Sequence, residues 1–366
     1  MPYATIPMVP GPVSLHPDVI AAISRDYGSG LEEPDFLPLY ADTSRRIAQL
    51  MGTANDVALM SGEGMLALWA ALKSCLKAGD AVVSVGTGVF GDGIGEMAAT
   101  LGCTVHAVSL PYDSTIGCGD SLQRIEDAIR TSRPVMLTAV HCETPSGTLN
   151  PLDALGEMKR RLGVPLFYVD AVSSLGGALV QGDEWHVDLL LAASHKCLSA
   201  PPSMSMVGIS EAAWEHMERV RYHGYDALLP FRALHRDGEC PYTPNWHGIA
   251  ALHAGAGAIL REGHGACLAR HKAVARRCRD GLALLGISLF PADDAVSSPT
   301  VTAARIPTCI SWPQWQMRLR QRGLIVTGSL GSMNGTIFRI GHMGVQARVD
   351  WMDKALAAID DALRRA

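Results

Sequence analysis

The chain has 366 residues, 48% of them hydrophobic and 18% charged, with a formal net charge of −5. That length and apolarity suit one large and one smaller domain around sizeable cores, and the acidic balance gives no electrostatic reason to bind nucleic acid. Nine cysteines spread from Cys75 to Cys309 without CxxC pairing suit reduced thiols and a cytoplasmic location, and with no metal-ligand spacing among the cysteines or histidines, no metal is assigned.

The N-terminus has no cationic start followed by an apolar core, and no run approaches ~20 apolar residues, so neither a signal peptide nor a membrane span is expected. Residues 1–17, with PMVPGPVSLHP, read as an extended arm. Helical spacing covers Asp18 to Met51 and stops at a glycine suited to a C-cap. From residue 57 to about 210, short apolar strands alternate with helices: DVALMS, AVVSVG, CTVHAVSL, PVMLTAVHCE, LFYVD, VDLLLAAS and MSMVGIS are the strands. Alternation of this kind predicts a mostly parallel, doubly wound α/β sheet. Residues 221–247 read as irregular, and a long helix is expected from about 249 to 286. The boundaries expected are an arm at 1–17, a large domain at 18–255 and a smaller α+β C-terminal domain at 256–366.

The stretch from Leu166 to Pro202 carries most of the chemistry. LFYVD ends in Asp170, and VDLLLAAS runs into His195 and Lys196, followed by CLSAPP, whose prolines restrict the backbone. Carboxyl ends of parallel strands open onto one crevice, so Asp170 and Lys196 face the same cavity. Two readings stand: a buried ion pair, or a site in which a desolvated lysine forms a Schiff base while the carboxylate keeps a pyridine nitrogen protonated.

Neighbouring motifs favour the second. PGPV at 10–13, SGEGMLAL at 61–68, TPSGTLNPLD at 144–153, VDAVSSLGG at 169–177, SHKCLSAPP at 194–202 and RIGHMG at 339–344 together resemble the class V, fold-type I pyridoxal-phosphate aminotransferases, in the family's order and over essentially the whole chain. The resemblance implies a homodimer with sites at the interface, pairing of dimers into tetramers being left open, and small-molecule substrates. It implies Lys196 and Asp170 as catalytic residues, Phe90 stacked on the ring, and Thr144 near the ring hydroxyl. It also brings Gly64 and His195 near the ring or its substituent, Thr243 to a neighbouring subunit's site, and Arg339 to the substrate carboxylate. Bland readings remain beside these: core packing for Phe90, a turn or cap for Thr144, a structural hydrogen bond for His195.

Glu63 departs from the phosphate-using pattern. Relatives place a small hydroxyl donor there, whereas a carboxylate ~4 Å from a phosphate meets a repulsion of about 4 kcal/mol for each like-charge pair at an effective dielectric of 20. The same carboxylate readily accepts a hydrogen bond from a hydroxymethyl group; its bland reading is a solvated helix N-terminal acid. Cys240 stands where relatives carry a phosphate-binding tyrosine, and Leu330 where an upstream arginine is expected. The expected reaction is therefore that of the pyridoxamine–pyruvate branch: pyridoxamine plus pyruvate, or another 2-oxo acid, giving pyridoxal plus L-alanine, with the vitamin ring as substrate. The alternative is an alanine– or serine–glyoxylate aminotransferase holding pyridoxal 5'-phosphate. A desulfurase-like lyase lacks its loop cysteine here, and retention of Lys196 and Asp170 argues against a non-catalytic binder of the vitamin.

Overall fold

The computed structural model describes residues 5–308 and 310–364; the first four residues of the arm, Cys309 and the last two residues lie outside this range. Seven strands form the central sheet: β1 (Asp56–Ser61), β2 (Ala81–Gly86), β3 (Thr104–Ser109), β4 (Met136–Val140), β5 (Leu166–Asp170), β6 (Leu189–Ala193) and β7 (Met204–Ile209). Their spatial order is β1-β7-β6-β5-β4-β2-β3. Only β7 runs antiparallel, to both β1 and β6, so the other six point their carboxyl ends to one edge. Every residue of β4, β5, β6 and β7 is buried, which is why these strands are continuously apolar rather than alternating. Edge strand β3 is largely open to solvent.

Helices α1 (Pro17–Ile23), α2 (Phe36–Met51), α3 (Gly64–Cys75), α4 (Val89–Thr100), α5 (Ser121–Ser132), α6 (Asp153–Leu162) and α7 (Glu211–Val220) accompany the sheet. The helical stretch expected over 18–51 is thus two helices, separated by a non-helical segment that contains Gly28, Gly30 and Pro34. Residues 221–247, expected to be irregular, contain α8 (Pro230–Asp237), with Pro230 in its first turn and Gly238 at φ +76 ending it. Eight residues were too short a window for periodicity to stand out against the surrounding His, Tyr and Pro. The long helix expected after residue 249 is α9 (Trp246–Glu262) and α10 (His264–Leu284), broken at Gly263, φ +89.

Two large apolar clusters fill the molecule. One spans the sheet and its helices from Phe36 to Cys267. The other joins Met8 of the arm to residues from Val274 to Ala362, around β8 (Val301–Arg305), β9 (Thr327–Gly328), β10 (Ile337–Gly341), α11 (Trp312–Gln321) and α12 (Val349–Arg364). Trp315 meets Phe338 edge-on at 5.9 Å within it. The arm ties the two regions together: Ile6 and Pro7 pair with Leu324 and Ile325, while the Val13 N–H donates to His195 O at 3.1 Å. Among the described residues, no helix is long and apolar enough to cross a membrane.

Candidate active site

Five parallel strands, β1, β2, β4, β5 and β6, deliver their ends to one cavity of about 120 Å³ lined by Glu63, Gly64, Met65, Phe90, Cys142, Thr144, Asp170, Ser173, His195 and Lys196, among others. A larger cleft of about 770 Å³ lies elsewhere, lined by His141, Trp185, Lys272 and Arg279 among others. It holds neither Asp170 nor Lys196, so the smaller cavity, where groups with displaced acidities converge, is the candidate site.

Asp170 closes β5 and is 5% exposed. Its Oδ1 accepts the Val172 N–H at 2.8 Å. Burial pushes the carboxyl up to about 6, while the Val172 N–H and the Lys196 charge pull it down. Lys196 follows β6 in a turn closed by the Ser199 N–H on Lys196 O at 2.9 Å. Burial pulls its amine down to about 8, with the Arg339 charge acting in the same direction. Among the described residues the two are not an ion pair: Lys196 Nζ donates instead to the carbonyl oxygen of Pro10 in the arm. Gly11 makes that approach possible. At φ +112 it adopts a backbone that side chains rarely take, and a Cβ there would lie 2.6 Å from Nζ and 2.7 Å from Cδ of Lys196.

His195 is buried, and burial followed by the Lys196 charge pulls its imidazole down to about 4, so the ring is neutral. Its Nδ1 is a buried polar atom with no hydrogen-bond partner, on a residue that lines the cavity. A buried polar atom on a cavity wall is open to a hydrogen bond from a ligand or an ordered water. Thr144 is buried with its hydroxyl on that of Ser173. Phe90 is half-buried near the start of α4. Gly64 opens α3 against the sheet, where a Cβ would meet Ala193 and Val172 at 3.2 Å.

Glu63 is the N-cap residue of α3 and lines the cavity, yet its side chain is exposed and makes no cap hydrogen bond. Arg339 sits in mid-β10, opposite Ala303 of β8 and Thr327 of β9, and is 8% exposed. Its Nε–H donates to Gly328 O at 2.8 Å, so the forked Nη end is not what anchors it to the strand. Thr243 is exposed and does not line its own chain's cavity, so its assignment rests on a second copy. Cys240 packs partly buried beside the large cluster. Two residues on, Tyr242 reaches the turn that Cys240 was expected to leave empty: its Oη accepts the Ser61 N–H at 3.3 Å, and its ring stacks on Tyr225 at 4.6 Å.

Sequence reasoning passed over Glu143, although the signal was present. It stands at the carboxyl end of the apolar PVMLTAVHCE run, as Asp170 does in its own strand. Glu143 is fully buried and accepts the N–H groups of Gly91 at 2.7 Å and Phe90 at 3.2 Å. Ser173, Cys142 and Met65 were passed over as well, and nothing in their local pattern marks them.

A buried carboxyl group, a lysine of lowered basicity, a neutral histidine and a phenyl ring line one cavity, an arrangement suited to a protonated pyridine ring. The sequence profile of the class-V aminotransferases matches residues 31–343, and the chain belongs to that family. Pyridoxamine–pyruvate transaminase of Mesorhizobium japonicum is 32% identical over 371 residues, covering 99% of this chain and 92% of the relative. Alanine–glyoxylate aminotransferase of Oryctolagus cuniculus is 30% identical, covering 97% and 91%. Among solved structures, pyridoxamine–pyruvate aminotransferase from Mesorhizobium loti superposes with a TM-score of 0.92 at 30% identity, covering 98% of this chain and 92% of that one. An alanine–glyoxylate aminotransferase from Nostoc gives 0.93 at 28%, covering 100% and 97%. The protein is thus a fold-type I aminotransferase of a pyridoxal-phosphate-dependent family. The orphaned Nδ1 of His195 and the donor set around Asp170 fit a pyridoxal-type ring.

Proposed function

We propose that the enzyme transfers the amino group of pyridoxamine to pyruvate, giving pyridoxal and L-alanine, at sites completed by a second copy of the chain. The observation that carries this reading is Glu63: the acid lies on the cavity that also holds Phe90, Asp170 and Lys196. A carboxylate there accepts a hydrogen bond from a neutral hydroxymethyl group and repels a phosphate.

The ring, once bound, supplies the electron sink. Asp170 holds the proton on the ring nitrogen, and Phe90 covers one face. Lys196, neutral above about pH 8, moves the proton between the ring's exocyclic carbon and the amino-acid Cα. Arg339 presents its guanidinium to the keto-acid carboxylate.

A second reading, a pyridoxal-phosphate-bound alanine– or serine–glyoxylate aminotransferase, is favoured by Tyr242, whose hydroxyl stands at the Ser61 end of the same turn and has a proton to donate to a phosphate. The test is a rate panel crossing pyridoxamine and its phosphate with pyruvate and glyoxylate. Fastest turnover of pyridoxamine with pyruvate supports the first reading. Activity only with tightly held phosphate ester and glyoxylate replaces it with the second.

A further inference from the structure

Helix α4 begins without a cap of its own. Its N-cap residue is Gly88, which has no side chain to offer the orphan N–H groups of the first turn. Those of Phe90 and Gly91 are met from another segment, by the two carboxyl oxygens of Glu143. The glycines leave room for it: a Cβ on Gly88 would lie 2.4 Å from the Glu143 Cδ, and one on Gly91 3.1 Å from Oε1. On the outer side of the same turn, Asp92 accepts the hydroxyls of Ser109 at 2.6 Å and Tyr112 at 2.5 Å.

We propose that Glu143 is a positioning residue for Phe90: its buried carboxyl group grips the first turn of α4 and so fixes the face that the phenyl ring presents to the bound pyridine ring. The inference rests on Phe90 being the stacking residue, and it holds for pyridoxal and for its phosphate alike. Phe90 donates its own backbone N–H to this group, so the clamp acts on the residue itself rather than on distant packing. Burial pushes Glu143 up to about 8, against the pull of the Gly91 and Phe90 N–H groups, with the Asp170 and Asp92 charges adding to the push.

The experiment titrates apoprotein with pyridoxal and, separately, with pyridoxal 5'-phosphate. It reads Kd and the circular dichroism induced in the ring's absorption band, which reports ring orientation. Glu143→Ala is expected to weaken binding about tenfold, the range for leaving a buried donor unsatisfied, and to collapse the induced signal. Glu143→Gln, which keeps the shape and one acceptor, should recover binding to within about threefold of wild type. In a Phe90→Ala background the same Glu143→Ala change should move Kd by less than about twofold, because its effect passes through the phenyl ring. An undiminished loss in that background overturns the proposal and leaves Glu143 a general structural residue.

Gly88→Ala perturbs the clamp without removing it. Gly88 has φ 179, extended backbone that any residue adopts, so its effect comes from the methyl meeting the carboxyl, and it should reproduce the Glu143→Ala loss even if that variant fails to fold. Wild-type binding and dichroism in Gly88→Ala overturn the proposal. Should Phe90→Ala alone leave both ligands' Kd unchanged, the stacking assignment fails and this inference with it, whereas the preference for the unphosphorylated ring is read independently from the two Kd values in wild type.

Discussion

The floor and the mouth of the cavity are built differently. At the floor, Asp170, Thr144, Ser173 and His195 are all 8% exposed or less, and each is delivered by the end of a buried strand or the turn after it. At the mouth, the lining residues Glu63 and Met65 are exposed. Floor positions are held by the sheet that is also the core, so they cannot shift without disturbing the packing. An exposed mouth position can be replaced at little expense to stability, so substrate preference is open to change there.

Replacing floor residues should therefore abolish the reaction on any substrate, and the largest effect belongs to Lys196. Lys196→Ala should lower turnover by at least about 10³-fold, in the range ascribed to a lost general base and nucleophile. It should also remove the imine absorbance that pyridoxal produces; persistence of that band assigns the chemistry to another amine. Asp170→Asn should keep the band and lose about 10²-fold in rate, the range for one missing electrostatic partner. Near-normal rates would take Asp170 out of the site.

A third effect concerns pH. Because burial and the Arg339 charge hold Lys196 down to about 8, the rate at which pyridoxal forms an imine should rise about tenfold per pH unit below 8 and flatten above it. Arg339→Gln removes one cause of the lowered value, so it should move that rise to higher pH. An unmoved profile would separate the arginine from the floor electrostatically.

The smallest effect is on stability. Lys196→Met, judged by denaturant unfolding of apoprotein at pH 7, should stabilise the fold by about 1–3 kcal/mol, since a desolvated amine is replaced by an apolar chain. The folded-state value lies below the ordinary 10.5, so the unfolded chain binds the proton more tightly. Wild type then gains stability as pH rises from about 8 toward 10.5, and the variant's advantage should shrink over that window. A constant advantage would mean that packing alone accounts for it.

Legibility in the sequence followed the same division. The central strands, and the placing of Asp170 and Lys196 in one cavity, could be read because short apolar runs alternating with helices specify a mostly parallel sheet whose parallel strands end at one edge. Glu143 was open to that argument, and its run was read only as a strand. Contacts made by loops were not legible. The Pro10 carbonyl on Lys196 depends on an arm arriving from 186 residues away, and Tyr242 reaches the Ser61 turn across 181 residues. No local pattern encodes either contact. The breaks at Gly263 and between α1 and α2 come from glycines and a proline, whose effect apolar spacing does not capture.

The claim that Glu63 selects an unphosphorylated ring is tested most directly by four dissociation constants, for pyridoxal and pyridoxal 5'-phosphate with wild type and with Glu63→Ser. In wild type, pyridoxal should bind more tightly, by about 1–3 kcal/mol. Glu63→Ser should reverse or level that preference, and a general loss of stability cancels in the comparison. Tighter binding of the phosphate ester by wild type, with the preference unchanged by Glu63→Ser, would contradict the account.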